Sequence, residues 1–130
     1  MVLLVHSGSH TILLTGDLEG EGQEMVRRWP IPPVDVMLTP HHGGKSANFA
    51  LPGPAGVKLP GLMAAWARPK LVISCQRPGP TDHLAASYGG VGATVWDTPT
   101  TGAVMVRCHN TGVVAQAFRS GELLVVSRGK

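Results

Sequence analysis

Asp17, His41, His42 and His83 stand where short apolar segments run out into loops, in the stretches ILLTGDLEGEGQ, DVMLTPHHGGKS and LVISCQRPGPTDHL. Carboxylates and neutral imidazoles at strand ends are the donors from which an α/β protein assembles a divalent-metal centre. Each residue also has a plainer reading. Asp17 follows a Gly at the end of ILLTG and suits a turn or the N-cap of a following helix. His41 and His42 precede Gly43-Gly44 and suit solvated loop positions. Neighbouring side chains of an extended chain point to opposite sides, so a working pair divides into one metal ligand and one residue that supports it or meets substrate. His83 follows Asp82 in PTDHL. It reads as a ligand, as a proton donor to a leaving group, or as a helix-start residue with Asp82 as cap.

The elements that must position these residues follow from hydrophobic pattern. VLLV and TILLT are strands joined by a Ser-Gly turn. LEGEGQEMVRRW forms a short helix, with acids early and arginines late as its dipole favours, and WPIPPV ends it. VDVMLT and KLVISC are continuous apolar strands suited to burial on both faces. Residues 40–60 read as loop. LPGLMAAWA and LAASYGGVG are helices, the second broken by Gly89 and Gly90. ATVWDT, AVMVRC, VVAQAF and ELLVV are strands separated by Thr/Gly turns. The alternation of strand and helix, with strands added at both ends, is an α/β pattern.

Composition narrows the field further. With 130 residues, 43% hydrophobic and 15% charged, the chain suits one folded domain. Its apolar runs, such as MVLLV, are too short to span a bilayer, and MVLLVHSGSH reads as a strand and not a signal peptide. The net charge of +3 comes with no dense basic block, which favours an ordinary solvated surface over a nucleic-acid patch. Cys75 and Cys108 lie in apolar strand contexts and read as buried free thiols. His6, His10 and His109 read as structural or surface residues, and Trp29, Trp66 and Trp96 as core. GEGQ and GGVG lack dinucleotide or P-loop spacing, and no GxSxG or HExxH occurs.

Taken in order, LLTGDLEGEG, VDVMLTPHHGGKSAN, RPKLVIS, DHL and ATVWDTPTTGAVMV resemble the metallo-β-lactamase fold hydrolases. The resemblance is closest to the soluble domain of the ComEC-type DNA-internalisation competence proteins, and it covers about Val2 to Arg107. It implies that Asp17 is the aspartate bridging two metal ions, and that His41, or alternatively His42, is the last histidine ligand. The other histidine of the pair and His83 would then serve catalysis at the mouth of the site. The implied cofactors are two divalent ions, zinc or manganese, and the implied reaction is hydrolysis of a phosphodiester such as DNA.

Three local departures stand out: HHGG replaces HHGS, Pro40 replaces the usual Gly, and His83-Leu84 replaces an HP pair. A larger one is that HxHxDH, which supplies most of the family's ligands, occurs nowhere in the chain. The resemblance therefore implies a single partial domain over residues 1–130: the C-terminal half of an αββα sandwich, a mixed sheet with helices packed on one face. Residues 1–107 form the family-like core and 108–130 extra C-terminal strands. Expected partners are the missing N-terminal half or another chain, together with a DNA or phosphodiester substrate. Expected locations are the bacterial cytoplasm or a soluble domain of a membrane-associated protein. Alone, such a chain should bind metal weakly, hydrolyse little and expose an apolar sheet face and edge. The competing expectation is a non-catalytic binding or structural module of the same fold.

Overall fold

The computed structural model describes residues 1–128 and is a mixed α/β structure in three layers. Strands β1 (Leu3–Ser7) and β2 (His10–Leu14) form an antiparallel hairpin, as the alternating apolar pattern requires. Helix α1 (Gly20–Arg27) follows, then β3 (Val36–Leu38), a small ribbon of β4 (Leu51–Pro52) and β5 (Lys58–Leu59), and helix α2 (Leu62–Ala67). Next come β6 (Leu71–Ser74), α3 (Asp82–Tyr88), β7 (Thr94–Asp97) and the single turn α4 (Thr98–Thr101). Strands β8 (Val104–His109), β9 (Gly112–Ala117) and β10 (Leu123–Arg128) complete the fold.

The central sheet has the order β1-β2-β3-β6-β7, parallel from β2 onward, with β1 antiparallel at its edge. Strands β8, β9 and β10 make a separate antiparallel sheet with β9 in the middle. The period of two along each central strand sorts its side chains into two cores. Leu13, Met37 and Val72 face the helices and pack with Met63, Ala64, Ala67, Leu84 and Tyr88. Val36, Leu71, Ile73 and Trp96 face the other way, against Val113, Ala115 and Ala117 of β9. This explains why β3 and β6 read as unbroken apolar runs: they are covered on both sides. No helix among the described residues is long and apolar enough to cross a membrane.

A buried polar cluster ties the two sheets together at the end where β2 begins. Asp35 Oδ1 accepts from Lys70 Nζ at 2.8 Å and Asp35 Oδ2 from the Thr11 amide at 3.0 Å. His10 Nδ1 lies 3.3 Å from Asp35 Oδ2 and 3.4 Å from Ser127 Oγ on β10. Burial acts to raise the pKa of Asp35, but hydrogen bonds from Lys70, Thr11 and Ser127 outweigh it and hold the carboxyl below its usual value. Cys108 is shifted upward by burial and by the Asp35 charge.

Several expectations are corrected. The 40–60 segment is not wholly loop, because β4 and β5 pair within it. Trp29 is 74% exposed and outside the core, while Trp96 is buried. Cys75 is exposed and Cys108 half-buried, because β6 ends at Ser74 and leaves Cys75 in the loop. Asp82 is the first residue of α3 and makes no capping bond; the N-cap is Thr81. Asp17 caps nothing either, since α1 begins after Glu19. Leu3 and Val5 on β1 and Leu123 and Val125 on β10 are exposed, so apolar edges of both sheets face solvent.

Candidate functional site

The site lies at the C-terminal ends of β2, β3 and β6, where parallel strands place their following loops side by side. Two hydrogen bonds bring the first two loops together. Thr15 Oγ1 donates to Leu38 O at 2.8 Å, and the His41 amide donates to Gly16 O at 2.9 Å. Gly16, at φ +56, lets the chain leave β2 sharply, which carries Asp17 toward the histidine pair.

The histidine turn is unusual in its backbone. His41 (φ 49, ψ 50) and His42 (φ 55, ψ 20) are both left-handed, a conformation that costs a non-Gly residue roughly 1–2 kcal/mol. Consecutive left-handed residues need a surround that over-determines them, and the surround is visible. Asn48 Nδ2 donates to Pro40 O at 2.8 Å and to Gly44 O at 2.9 Å, and Asn48 Oδ1 accepts from Tyr88 Oη at 2.7 Å. Burial pushes the Tyr88 phenol well above its usual pKa, so its proton stays on and donates. Ser74 Oγ donates to His42 O at 3.2 Å. Gly43, at φ +84, sits so close to Ser74 that a Cβ there would collide with its hydroxyl.

This backbone sends the two rings apart. His42 Nε2 lies 3.1 Å from Asp17 Oδ1, and His41 Nδ1 donates to Glu19 Oε2 at 3.0 Å. Glu19 also accepts from Ser46 Oγ at 3.3 Å. His42, not His41, is therefore the imidazole beside Asp17. His83 is elsewhere: its Nε2 donates to Gly43 O at 2.6 Å, from the start of α3. Its Nδ1 is buried and without a partner. The structure thus brings together Asp17 with His42 and His41 with Glu19, and sets His83 against the turn itself.

Asp17 and His42 are a donor set that a divalent ion could share. Two ligands of one tetrahedral zinc, each at about 2.0–2.1 Å, lie roughly 3.3 Å apart, so the 3.1 Å separation of His42 Nε2 and Asp17 Oδ1 suits a shared ion. The set is nevertheless too small. Among the described residues, no group of three or more His, Cys, Asp or Glu side chains could hold one ion, whereas a catalytic zinc takes three protein ligands. Asp17 and His42 offer two donors, and among the described residues no third joins them.

Sequence reasoning missed Glu19, Asn48 and Tyr88. Glu19 had a signal in the TGDLE stretch, two residues beyond Asp17. Asn48 and Tyr88 had none, because their role depends on a contact across 40 residues of chain. No family model, curated protein or solved structure matches the chain.

Proposed function

We propose that this chain contributes Asp17 and His42 to a divalent-metal hydrolase centre for phosphodiesters, with the remaining ligands supplied from outside its 130 residues. The observation that carries this reading is the His42 Nε2 to Asp17 Oδ1 distance of 3.1 Å, held by a doubly left-handed turn at the C-terminal edge of a parallel sheet. An exposed ion pair stabilises a fold very little, so a strained turn that serves only to make this pair has no structural justification. His83 acts as a positioning residue, holding Gly43 O and with it the turn. His41, engaged by Glu19, stands beside the mouth of the site. The sequence resemblance supports zinc or manganese as the metal and DNA as the phosphodiester. It also supports a bacterial DNA-uptake setting, in the cytoplasm or in the soluble domain of a membrane-associated protein. Because two donors do not hold an ion in place, no catalytic step runs through a metal on this chain alone.

Titration with Zn²⁺ or Mn²⁺, followed by histidine ring resonances, tests the reading. Weak binding that is lost in Asp17→Ala and His42→Ala but kept in His41→Ala is expected, with hydrolysis of bis(p-nitrophenyl) phosphate at background. Metal binding indifferent to both Asp17 and His42 would favour a non-catalytic module of the same architecture. Asp17-dependent turnover by the chain alone would show that outside ligands are not required.

A further inference from the structure

Three hollows meet at Cys75, and their linings differ in kind. The outermost, about 460 Å³, is bounded by His41, His42, Gly44, Cys75, Gln76 and Arg77. The middle one, about 240 Å³, lies between Asp17, Thr39, His42 and Cys75. The innermost, about 320 Å³, runs between the two sheets and is lined by Ile12, Leu14, Leu38, Ile73, Val104 and Val106, with Cys75 at its mouth. Leu38, Ile73 and Cys75 border both the middle and inner hollows, while His42 and Cys75 border both the outer and middle ones. Through these shared residues the three adjoin, and they define a path from a mouth with polar side chains to an aliphatic slot.

The polar end carries unmet hydrogen-bonding capacity. Gln76 Nε2 is buried without a partner, and so is the hydroxyl of Thr39, a residue only 5% exposed. Such groups cost free energy unless something fills the space beside them. The exposed Arg77 guanidinium supplies a cation at the mouth. The inner slot is a gap in the sheet-to-sheet core: Val104 and Val106 face inward from β8 yet stay only half-buried. Its volume is about ten times the 30 Å³ that one water occupies in the liquid, and a methylene needs similar space. Apart from Thr98 and Cys75 the walls are aliphatic and give water little to bond, so the slot suits an alkyl chain.

We infer that this path binds a single-chain amphiphile, an alkyl phosphate or alkyl phosphodiester, with its aliphatic chain between the sheets and its anionic head among His42, Gln76 and Arg77. The inference builds on the proposed phosphodiester-cleaving end at Asp17 and His42 by adding a substrate class. It concerns binding without metal or turnover, so either reading can fail while the other stands.

Titration of the 130-residue chain with decyl phosphate and ethyl phosphate, below micelle concentration and followed by methyl resonances, decides the matter. Each methylene buried adds about fourfold in affinity, so decyl phosphate should bind at least a hundredfold more tightly than ethyl phosphate. The shifted methyls should be those of Ile12, Leu38 and Val106. Val106→Phe, which fills the slot, should remove the chain-length effect, and Arg77→Ala should weaken both ligands about tenfold. Should Val106→Phe not fold, the wild-type methyl shifts decide alone. Equal affinity for the two phosphates, or shifts confined to Leu3, Val5, Leu123 and Val125 on the sheet edges, would overturn the inference. Decyl phosphate binding unchanged by Arg77→Ala would overturn its placement of the head.

Discussion

Replacing Asn48 with Ala should destabilise the protein by about 3 kcal/mol and release the histidine turn. The side chain is 2% exposed and makes three hydrogen bonds, two donated to Pro40 O and Gly44 O and one accepted from Tyr88 Oη. Each bond contributes about 1 kcal/mol net, and a buried partner left unsatisfied costs about 1–3 kcal/mol. Tyr88→Phe alone should cost about 1–1.5 kcal/mol, since Asn48 Oδ1 then loses its donor. The two losses are coupled. Once Asn48 is Ala, the Tyr88 hydroxyl has no partner, so adding Tyr88→Phe should cost nothing or restore some stability. A double-mutant cycle by urea unfolding should therefore give a coupling of at least 1 kcal/mol. Additive losses, or an Asn48→Ala variant within about 0.5 kcal/mol of wild type, would refute the claim that this network holds the turn.

Further outcomes can be measured on the same footing. Gly43→Ala should cost at least 2 kcal/mol in urea unfolding, from its positive φ and the collision with Ser74. Gly44→Ala, at φ −57, should cost clearly less. Asp17→Ala should leave stability within about 0.5 kcal/mol of wild type, because its pairing with His42 is solvent-exposed. Asp35 has a depressed pKa in the folded state, so its contribution is complete above the unfolded value, near 3.9, and is lost as pH falls through the folded one. Unfolding free energy followed from pH 6 downward should fall less steeply in Asp35→Asn, which should also be less stable at neutral pH.

The strands were legible because each carries its pattern within five or six residues. Leu71–Ser74 and Thr94–Asp97 lie within KLVISC and ATVWDT, while Leu3–Ser7 and His10–Leu14 overlap VLLV and TILLT and run further into the turn between them. The placement of Asp17 beside the HHGG turn was legible in outline, since an apolar strand end precedes each. Which histidine would turn toward Asp17 was not, because extended-chain alternation does not govern two consecutive left-handed residues. Trp29 was misread as core since its burial depends on what lies above α1, a question of packing and not of local pattern. Cys75 was misread for a different reason: LVISC gives no sign that the strand stops one residue early.

The bond between Ser127 and His10 joins residues 117 apart in sequence, and it bears on how the chain folds. The central pairings are also distant, with Ile12 against Val36, Val36 against Leu71 and Leu71 against Thr94. Closing such loops costs entropy before any contact rewards it, so folding belongs on the millisecond-to-second scale and not among the microsecond folders. During synthesis, β2 and β3 emerge long before β10, and until then Asp35 and His10 lack Ser127 and the second apolar layer. A nascent chain would carry one face of its parallel sheet bare for most of its translation, the interval in which it is most exposed to association with other chains.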